Sequence, residues 1–383
     1  MLFVHDHKFI EKDGAYYTTG SLNNQLFKRY LDIFSEVEVL ANSIIHNNSE
    51  NIIEKNRVNN VRLLLIKSTN WINKIRYAKK LIEDRVKNNS CIIIRLPSVY
   101  GLIAVYYSRK LHKKYLVEVV GCPWDILTNH SIKGKILAPF ITCLTKNAVK
   151  NAPFVLYVTN SFLQRKYPTK GYSIGCSDVS LPYINEKIMC RRLNKINANK
   201  REKPLRLGTL ASVNVRYKGQ KYVIEAISIL NKKGYNFEYY LAGGGDDTYL
   251  RSIVKKYNIE DKVHFLGALP HEDIFEYIDN LDIYIQPSKT EGLPRALIEA
   301  MSRGCPAIGS KTGGIPELLK ESMIFEKCSV NELTYILSRI NKEIMLKESS
   351  ENFIIASEYS ERILSEKREK FYRNYLKGIN END

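Results

Sequence analysis

Residues 282–309 read D-I-Y-I-Q-P-S-K-T-E-G-L-P-R-A-L-I-E-A-M-S-R-G-C-P-A-I-G. Asp282–Ile285 and Pro306–Gly309 are short apolar runs of the length a buried strand needs. Between them Pro294 is placed as the first residue of a helix, where its fixed φ fits and its missing amide costs nothing. Strand, helix and strand at this spacing make a β-α-β unit, and such units build a parallel sheet.

The same alternation extends in both directions. Arg206–Gly208, Glu238–Ala242 and Val263–Leu266 read as strands, and Val223, Ala226, Ile227 and Leu230 mark a helix. Nearer the N-terminus, Met1–Val4, Val37–Leu40, Arg62–Ile66, Cys91–Ile94, Leu116–Val120 and Phe154–Val158 read as strands with helical patterns between them. Ser21 is placed to cap the first helix, whose Leu22, Leu26, Tyr30 and Ile33 recur at helical spacing. The fold class expected is α/β, with two Rossmann-like domains facing a cleft. Residues 1–186 form the first domain, a basic Asn-rich linker covers 187–204, and the second domain covers 205–356. Residues 357–383 read as a long helix with Ile363, Leu364, Phe371 and Tyr375 on its buried stripe, packing back on the first domain. Ligands of such sheets bind outside the carboxyl ends of the strands.

Composition excludes several classes. With 44% hydrophobic and 26% charged residues, the 383-residue chain is a folded protein and not a disordered one. No apolar run approaches the ~20 residues a membrane-spanning helix needs, and the longest, Ile136 to Leu144, is broken by Pro139. The N-terminus lacks a secretory pattern. Seven scattered cysteines without C-x-x-C read as reduced thiols, with neither a zinc site nor a disulfide framework, in a cytoplasmic protein. The net charge of +17 is lopsided. Residues 1–203 hold 33 Lys and Arg against 15 Asp and Glu, whereas the remaining 180 hold 25 against 26. The first half therefore points to an anionic partner: nucleic acid, a membrane surface or a phosphorylated substrate.

The chemistry concentrates between Pro287 and Glu317. Glu291 sits in the loop after the strand, and Glu299 lies about 8 Å further along the helix axis at 1.5 Å per residue. Unpaired amides at the helix start favour an anion such as a diphosphate. Two carboxylates flanking that point accept hydrogen bonds from sugar hydroxyls on either side, the layout of a nucleotide-diphosphate sugar. Gly313-Gly314-Ile315-Pro316-Glu317 repeats the device, with Pro316 opening another helix. Upstream, Gly208 ends a strand, and Lys218 in Val215-Arg216-Tyr217-Lys218-Gly219 is within reach of a phosphate. Each element has a plainer alternative: Glu299 pairing with Arg295 or Arg303 on a helix surface, Lys218 as a solvated lysine. Leu241–Gly245 lacks G-x-G-x-x-G and reads as a turn.

Together, E-x7-E from Glu291 to Glu299, G-G-I-P-E-L-L from Gly313, Y-K-G from Tyr217 and V-H-F-L-G from Val263 resemble the donor half of a family 4 glycosyltransferase of the GT-B fold. D-G-A-Y-Y-T-T-G-S-L from Asp13, Y-V-T-N-S-F-L-Q-R-K-Y-P from Tyr157 and G-C-S-D-V from Gly175 extend the resemblance to members that build bacterial surface polysaccharides. It implies a retaining transfer from a nucleotide sugar, without an obligatory metal or other cofactor. By that resemblance Glu291 contacts the donor sugar, Glu299 the ribose, and Lys218 the leaving diphosphate. The backbone around Gly292, Leu293 and Pro294, with Gly313 and Gly314, lines the sugar and diphosphate. The Val263–Gly267 segment, including Phe265, meets the base, and Gly20 and Ser21 face the distal phosphate. Two departures stand out. Many relatives have Arg where this chain has Thr209, with Arg216 as the candidate replacement. Relatives often carry a histidine after the strand ending at Val120, where this chain has Gly121-Cys122-Pro123-Trp124-Asp125. Asp125 either lines the cleft or caps a helix. His5, in His5-Asp6-His7, is a candidate for acceptor contact.

The basic first half is expected to hold the acceptor, a glycan or an undecaprenyl-diphosphate-linked acceptor. Trp71, Ile72, Ile75, Ile82 and Val86 share a helix with Lys74, Arg76, Lys79, Lys80, Arg85 and Lys87. That helix either rests on an anionic membrane, on the inner face of the cell membrane, or buries its stripe in the core. The competing classes are a nucleic-acid binder, for which no recognition motif is present, a nucleotide-sugar epimerase or hydrolase, and an inactive relative.

Overall fold

The computed structural model describes all residues except 19, 21, 46–56, 68–70, 131, 180, 182–183, 199–202 and 381–383; the side chains of 45, 71, 130 and 380 also lie outside the description. The chain divides into two compact units. One comprises Met1–Thr128, Ile132–Cys176 and Ser365–Asp383, the other Asn129–Ser131 and Ser177–Leu364.

The first unit runs β1 (Leu2–Lys12), β2 (Ala15–Tyr17), α1 (Asn24–Leu31), β3 (Glu38–Ile45), β4 (Arg62–Ile66), α2 (Trp71–Asn88), β5 (Ile92–Leu96), α3 (Val99–Lys110), β6 (Leu116–Val119), α4 (Pro123–His130), α5 (Ile132–Lys150), β7 (Phe154–Tyr157), α6 (Phe162–Lys166) and β8 (Tyr172–Gly175). Its sheet has the order β4-β3-β1-β5-β6-β7-β8, with every pairing on that path parallel and β2 antiparallel on β1. The central strands β5 and β6 are buried along their whole length, as strands covered on both faces must be. β1 outruns the four residues its apolar start suggests because it continues past a register shift between Val4 and Lys8. Asn23, not Ser21, caps α1, accepting from the Leu26 amide at 3.0 Å; Ser21 lies outside the described residues.

The second unit runs α7 (Glu186–Ala198), β9 (Leu205–Leu210), α8 (Gln220–Lys232), β10 (Phe237–Ala242), α9 (Thr248–Tyr257), β11 (Val263–Gly267), α10 (Ile274–Asn280), β12 (Ile283–Gln286), α11 (Arg295–Ser302), β13 (Ala307–Ser310), β14 (Ile324–Phe325), α12 (Val330–Arg339) and α13 (Lys342–Ser357). Its six strands are all parallel in the order β11-β10-β9-β12-β13-β14. In both sheets the first strand is central and the order reverses beside it, the doubly wound arrangement. The last helix, α14 (Glu361–Asn380), buries Phe371, Tyr372 and Tyr375 in the first unit. Phe371 stacks on Tyr172, and the Tyr375 hydroxyl accepts from the Ile92 amide at 2.8 Å.

One expectation needs correction, and one pair of alternatives is decided. The expected linker 187–204 contains a helix, α7, whose buried face is Ile188, Arg192 and Ile196. The charge of Arg192 hides that stripe in the sequence. Its guanidinium donates to the carbonyls of Ile278, Leu281 and Arg303 at 2.9, 2.5 and 3.1 Å, satisfying the end of α10 from inside the second unit. Helix α2 is a core helix. Ala78, Ile82 and Val86 are fully buried and Ile75 packs against the same cluster, leaving Ile72 exposed and the Trp71 side chain undescribed. Arg76, Lys79, Lys80 and Lys87 are exposed while Lys74 and Arg85 are half-buried, and the apolar stripe is taken up by the core.

Candidate active site

The order of the second sheet reverses between β9 and β12, so their carboxyl ends mark the switch point. The loops leaving these two strands are joined. The Lys289 amide donates to the Tyr217 carbonyl at 2.7 Å, and a Cβ on Gly219, which has φ +78°, would stand 1.9 Å from the Pro287 carbonyl oxygen. Only glycine accommodates both that conformation and that approach. The closure brings Lys218, in the 3₁₀ turn Arg216–Lys218, to Glu291, with Nζ 2.7 Å from Oε1.

Glu291 is held from below by the strand that delivers it. Gln286 Nε2 donates to the same Oε1 at 3.1 Å and to Ser288 Oγ at 2.9 Å, and the Tyr284 hydroxyl donates to Gln286 Oε1 at 2.9 Å. Oε2 of Glu291 accepts nothing among the described residues, and neither do the amides of Gly292 and Leu293 donate to any of them. The neighbouring loop braces this turn from the side. Gly314 donates its amide to the Gly292 carbonyl at 2.7 Å, and Gly313, at φ +58°, leaves room where a Cβ would lie 2.2 Å from the Glu291 carbonyl oxygen. Pro294 is the N-cap of α11, which begins at Arg295, one residue later than the sequence suggests; Pro316 lies in a single 3₁₀ turn, Ile315–Glu317.

Glu299 is half-buried on α11, and its carboxylate forms neither a hydrogen bond nor an ion pair among the described residues. Arg303, one of its two candidate partners, pairs instead with Asp279 through Nε at 2.8 Å. Burial pushes the Glu299 carboxyl above its usual range, with the charges of Arg295 and His271 acting in the opposite direction. The Tyr284 phenol is raised well above its ordinary value by burial first and by both Glu299 and Glu291 in addition, so the two carboxylates act on one hydroxyl. The structure therefore brings Lys218, Glu291, Gly292, Leu293, Pro294, Glu299, Gly313 and Gly314 into one locality. An unpartnered, half-buried carboxylate with a raised pKa, on the helix that follows the Lys218–Glu291 pair, marks a candidate ligand site.

The remaining candidates divide. Arg216 is exposed, with its guanidinium 4.4 Å from the centre of the Tyr249 ring. Thr209 is fully buried, donating to the Ile285 carbonyl at 2.7 Å and accepting from the Tyr239 hydroxyl at 2.7 Å, so it ties β9 to β12 inside the sheet. Phe265 packs against the core cluster under the Arg251 guanidinium. In the first unit, the Gly20 amide donates to Thr18 Oγ1 at 3.0 Å, and a Cβ on Gly20 would press 2.7 Å from the His7 ring. His5 Nδ1 is buried without a hydrogen-bond partner among the described residues, and burial, then the Arg95 and His7 charges, lower the His5 pKa to about 3. Asp125 lies in the first turn of α4 and pairs with Lys166 Nζ at 3.1 Å.

Sequence reasoning missed Tyr284, Gln286 and Ser288, which orient Glu291. A polar Gln closing an apolar strand just before a functional loop was the available signal.

No helix among the described residues is long and apolar enough to cross a membrane, and no group of three or more His, Cys, Asp or Glu residues gathers there to hold a metal. Residues 192–357 match the family described as Glycosyl transferases group 1. The chain is 35% identical to protein CapJ of Staphylococcus aureus over 100% of its own length and 97% of that protein. It is 33% identical to the amylovoran biosynthesis glycosyltransferase AmsK of Erwinia amylovora over 44% of each chain. Its fold is similar to that of Anabaena HepE, solved in complex with UDP, with a TM-score of 0.67 at 14% identity over 97% of this chain and 99% of that one. Two doubly wound parallel sheets, a glutamate-and-lysine switch point and these end-to-end likenesses agree: the chain is a GT-B enzyme that belongs to the group 1 glycosyltransferases.

Proposed function

We propose that the protein transfers a sugar from a nucleotide-diphosphate sugar to a growing glycan acceptor, lipid-linked, in the synthesis of a bacterial surface polysaccharide. The observation that carries this reading is the 2.7 Å Lys218–Glu291 pair beside unpaired amides, with the unpartnered Glu299 on the next helix. The diphosphate takes the ammonium of Lys218 and the amides of Gly292 and Leu293. Glu291, released from the pair but still held by Gln286, turns to hydroxyls of the donor sugar, and Glu299 accepts from the ribose. The acceptor oxygen bonds to the anomeric carbon as the bond to the diphosphate breaks, and the acceptor proton passes to a donor phosphate oxygen. Charge developing on the departing diphosphate meets a preorganised cation and dipoles, and such electrostatic stabilisation usually contributes more to catalysis than any other effect. The family resemblance gives retention at the anomeric carbon. No metal or other cofactor enters this reading, because Lys218 and the amides carry the countercharge. HepE was solved with UDP bound, which supports the donor class, and AmsK takes its name from amylovoran synthesis, which supports the product class. Placement is on the cytoplasmic face of the membrane, where a lipid-linked acceptor is presented.

A calorimetric panel of UDP, GDP, CMP and their common sugars, on wild type and Glu299→Ala, tests the donor site. Selective micromolar binding to one nucleotide, much weakened in the variant, is expected; no binding of any nucleotide would remove the reading. Sugar release without acceptor would favour a hydrolase on the same fold.

A further inference from the structure

Helix α5 turns a broad apolar face outward. Ile132, Ile136, Leu137, Phe140 and Leu144 are exposed by 79, 75, 51, 62 and 40%, although a helix of this composition ordinarily buries such residues. At 100° per residue they lie within roughly 140° of one another, opposite the buried Gly134, Ala138, Thr142 and Thr145. From Ile132 to Leu144 the strip is about 18 Å long at 1.5 Å per residue. Trp124 and Ile126 on the preceding α4 are also exposed, by 42 and 44%. The nineteen residues of α5 contain Lys133, Lys135, Lys146 and Lys150 and no carboxylate. Small residues on the inner side let the helix sit close to its own unit, so the large side chains have nothing to fill except what lies outside.

We propose that this face of α5 docks on an anionic lipid bilayer, with the apolar strip in the headgroup–acyl boundary and the lysines at the phosphates. A strip of this length lying in the plane, with lysines beside it, fits an interfacial helix and not a spanning one. The charge of the first 203 residues, 33 basic against 15 acidic, supplies the matching long-range attraction. The proposal deepens the membrane placement in the proposed function, and rests on that reading only for the lipid-linked acceptor. It moves the contact from α2, whose stripe is buried, to α5.

The test is co-sedimentation of the full chain with vesicles of phosphatidylglycerol and phosphatidylcholine, against pure phosphatidylcholine, at low and high salt. Wild type is expected on the anionic vesicles, more weakly at high salt. Ile136→Glu/Phe140→Glu should bind at least about tenfold more weakly, while Tyr335→Glu/Ile354→Glu, at exposed apolar positions of the second unit, should bind like wild type. A circular-dichroism spectrum and a melting transition of the first unit like those of wild type show that the first variant is folded. Wild type failing to bind anionic vesicles, or the α5 variant binding undiminished, overturns the proposal. A wild-type dimer in sedimentation velocity that the variant dissociates, without vesicle binding, assigns the face to a second copy and overturns it too. Vesicle binding without any nucleotide binding would leave α5 standing and remove the donor-site reading.

Discussion

Lys218 Nζ stands 2.7 Å from Glu291 Oε1, although the two residues come from loops that follow different strands of the second sheet. Glu291 is held by Gln286, and the two loops by each other, through the Lys289 amide and the close approach at Gly219. The pair thus keeps a cation and a carboxylate at the switch point before any ligand arrives. On the proposed reading, these two charges exchange partners when a diphosphate and a sugar enter.

Lys218→Ala should therefore act on the chemical step. Loss of one preorganised group that stabilises developing charge costs about 10²–10³ in kcat. Initial rates with saturating donor would show it, with a smaller change in donor KM. A variant with unchanged kcat and raised KM would mean that Lys218 only binds the ground state.

Glu299→Gln separates stability from function. The folded-state pKa of Glu299 is raised, so the folded protein holds its proton to higher pH than the unfolded chain does. Stability from this group is present at low pH and lost as pH rises from the unfolded value through the raised folded one. The amide removes that loss, so the variant should melt at or above wild type at pH 7, with less of a gain at pH 4. A hydrogen bond to a charged group is worth about 1.5–3 kcal/mol, so nucleotide affinity should fall roughly ten- to a hundredfold. A melting temperature lowered at pH 7 with intact affinity would make Glu299 a structural residue.

Much of this is legible in the sequence alone, and the reasons are local. The 282–309 stretch announces strand, turn and helix through short-range signals, and the spacing of Glu291 and Glu299 follows from helix geometry alone. Other features depend on what lies across the sheet. Arg95 interrupts I-I-I-R-L and Glu118 interrupts L-V-E-V, and each alone reads as a blemish in an apolar strand. They are register partners on β5 and β6, paired at 3.0 Å and buried. Likewise Arg192 masks the stripe of α7 because its partners, the carbonyls after α10, lie more than eighty residues away. Exposure of the α5 face was hidden for the opposite reason: its apolar residues look like core until the small residues opposite them are seen to take the inner side.

Tyr372→Phe tests what anchors the last helix. The Tyr372 hydroxyl donates to Glu118 Oε1 at 2.6 Å, and Glu118 also accepts from Tyr30 and Arg95. Removing one donor from a buried carboxylate costs about 1–3 kcal/mol. Thermal melting should show a transition lowered by several degrees, roughly 2–4 °C per kcal/mol for a unit of this size. Nucleotide binding should be unchanged, because the cluster lies in the first unit and the switch-point residues in the second. An unaltered melt would mean that water or the remaining donors satisfy Glu118.

His5 should make the first unit acid-sensitive. Its pKa is lowered from 6.5 to about 3 by burial, then by Arg95 and His7, and that of His7 to about 4 by burial and Arg95. Below pH 6.5 the unfolded chain takes up protons that the folded unit refuses, so stability falls as pH drops through the window from 6.5 towards 3. At pH 5 the cost at His5 alone is roughly 2 kcal/mol at 1.36 kcal/mol per pH unit. Asp6 acts against this trend, since burial raises its pKa, with the Val99 and Ser98 bonds and Lys74 opposing. His5→Gln removes the larger effect without removing polarity from a site whose Nδ1 lacks a partner among the described residues. Its melting temperature should fall less than that of wild type between pH 7 and pH 5. Parallel curves for the two proteins would show that His5 gains a proton, and a partner, in the folded state.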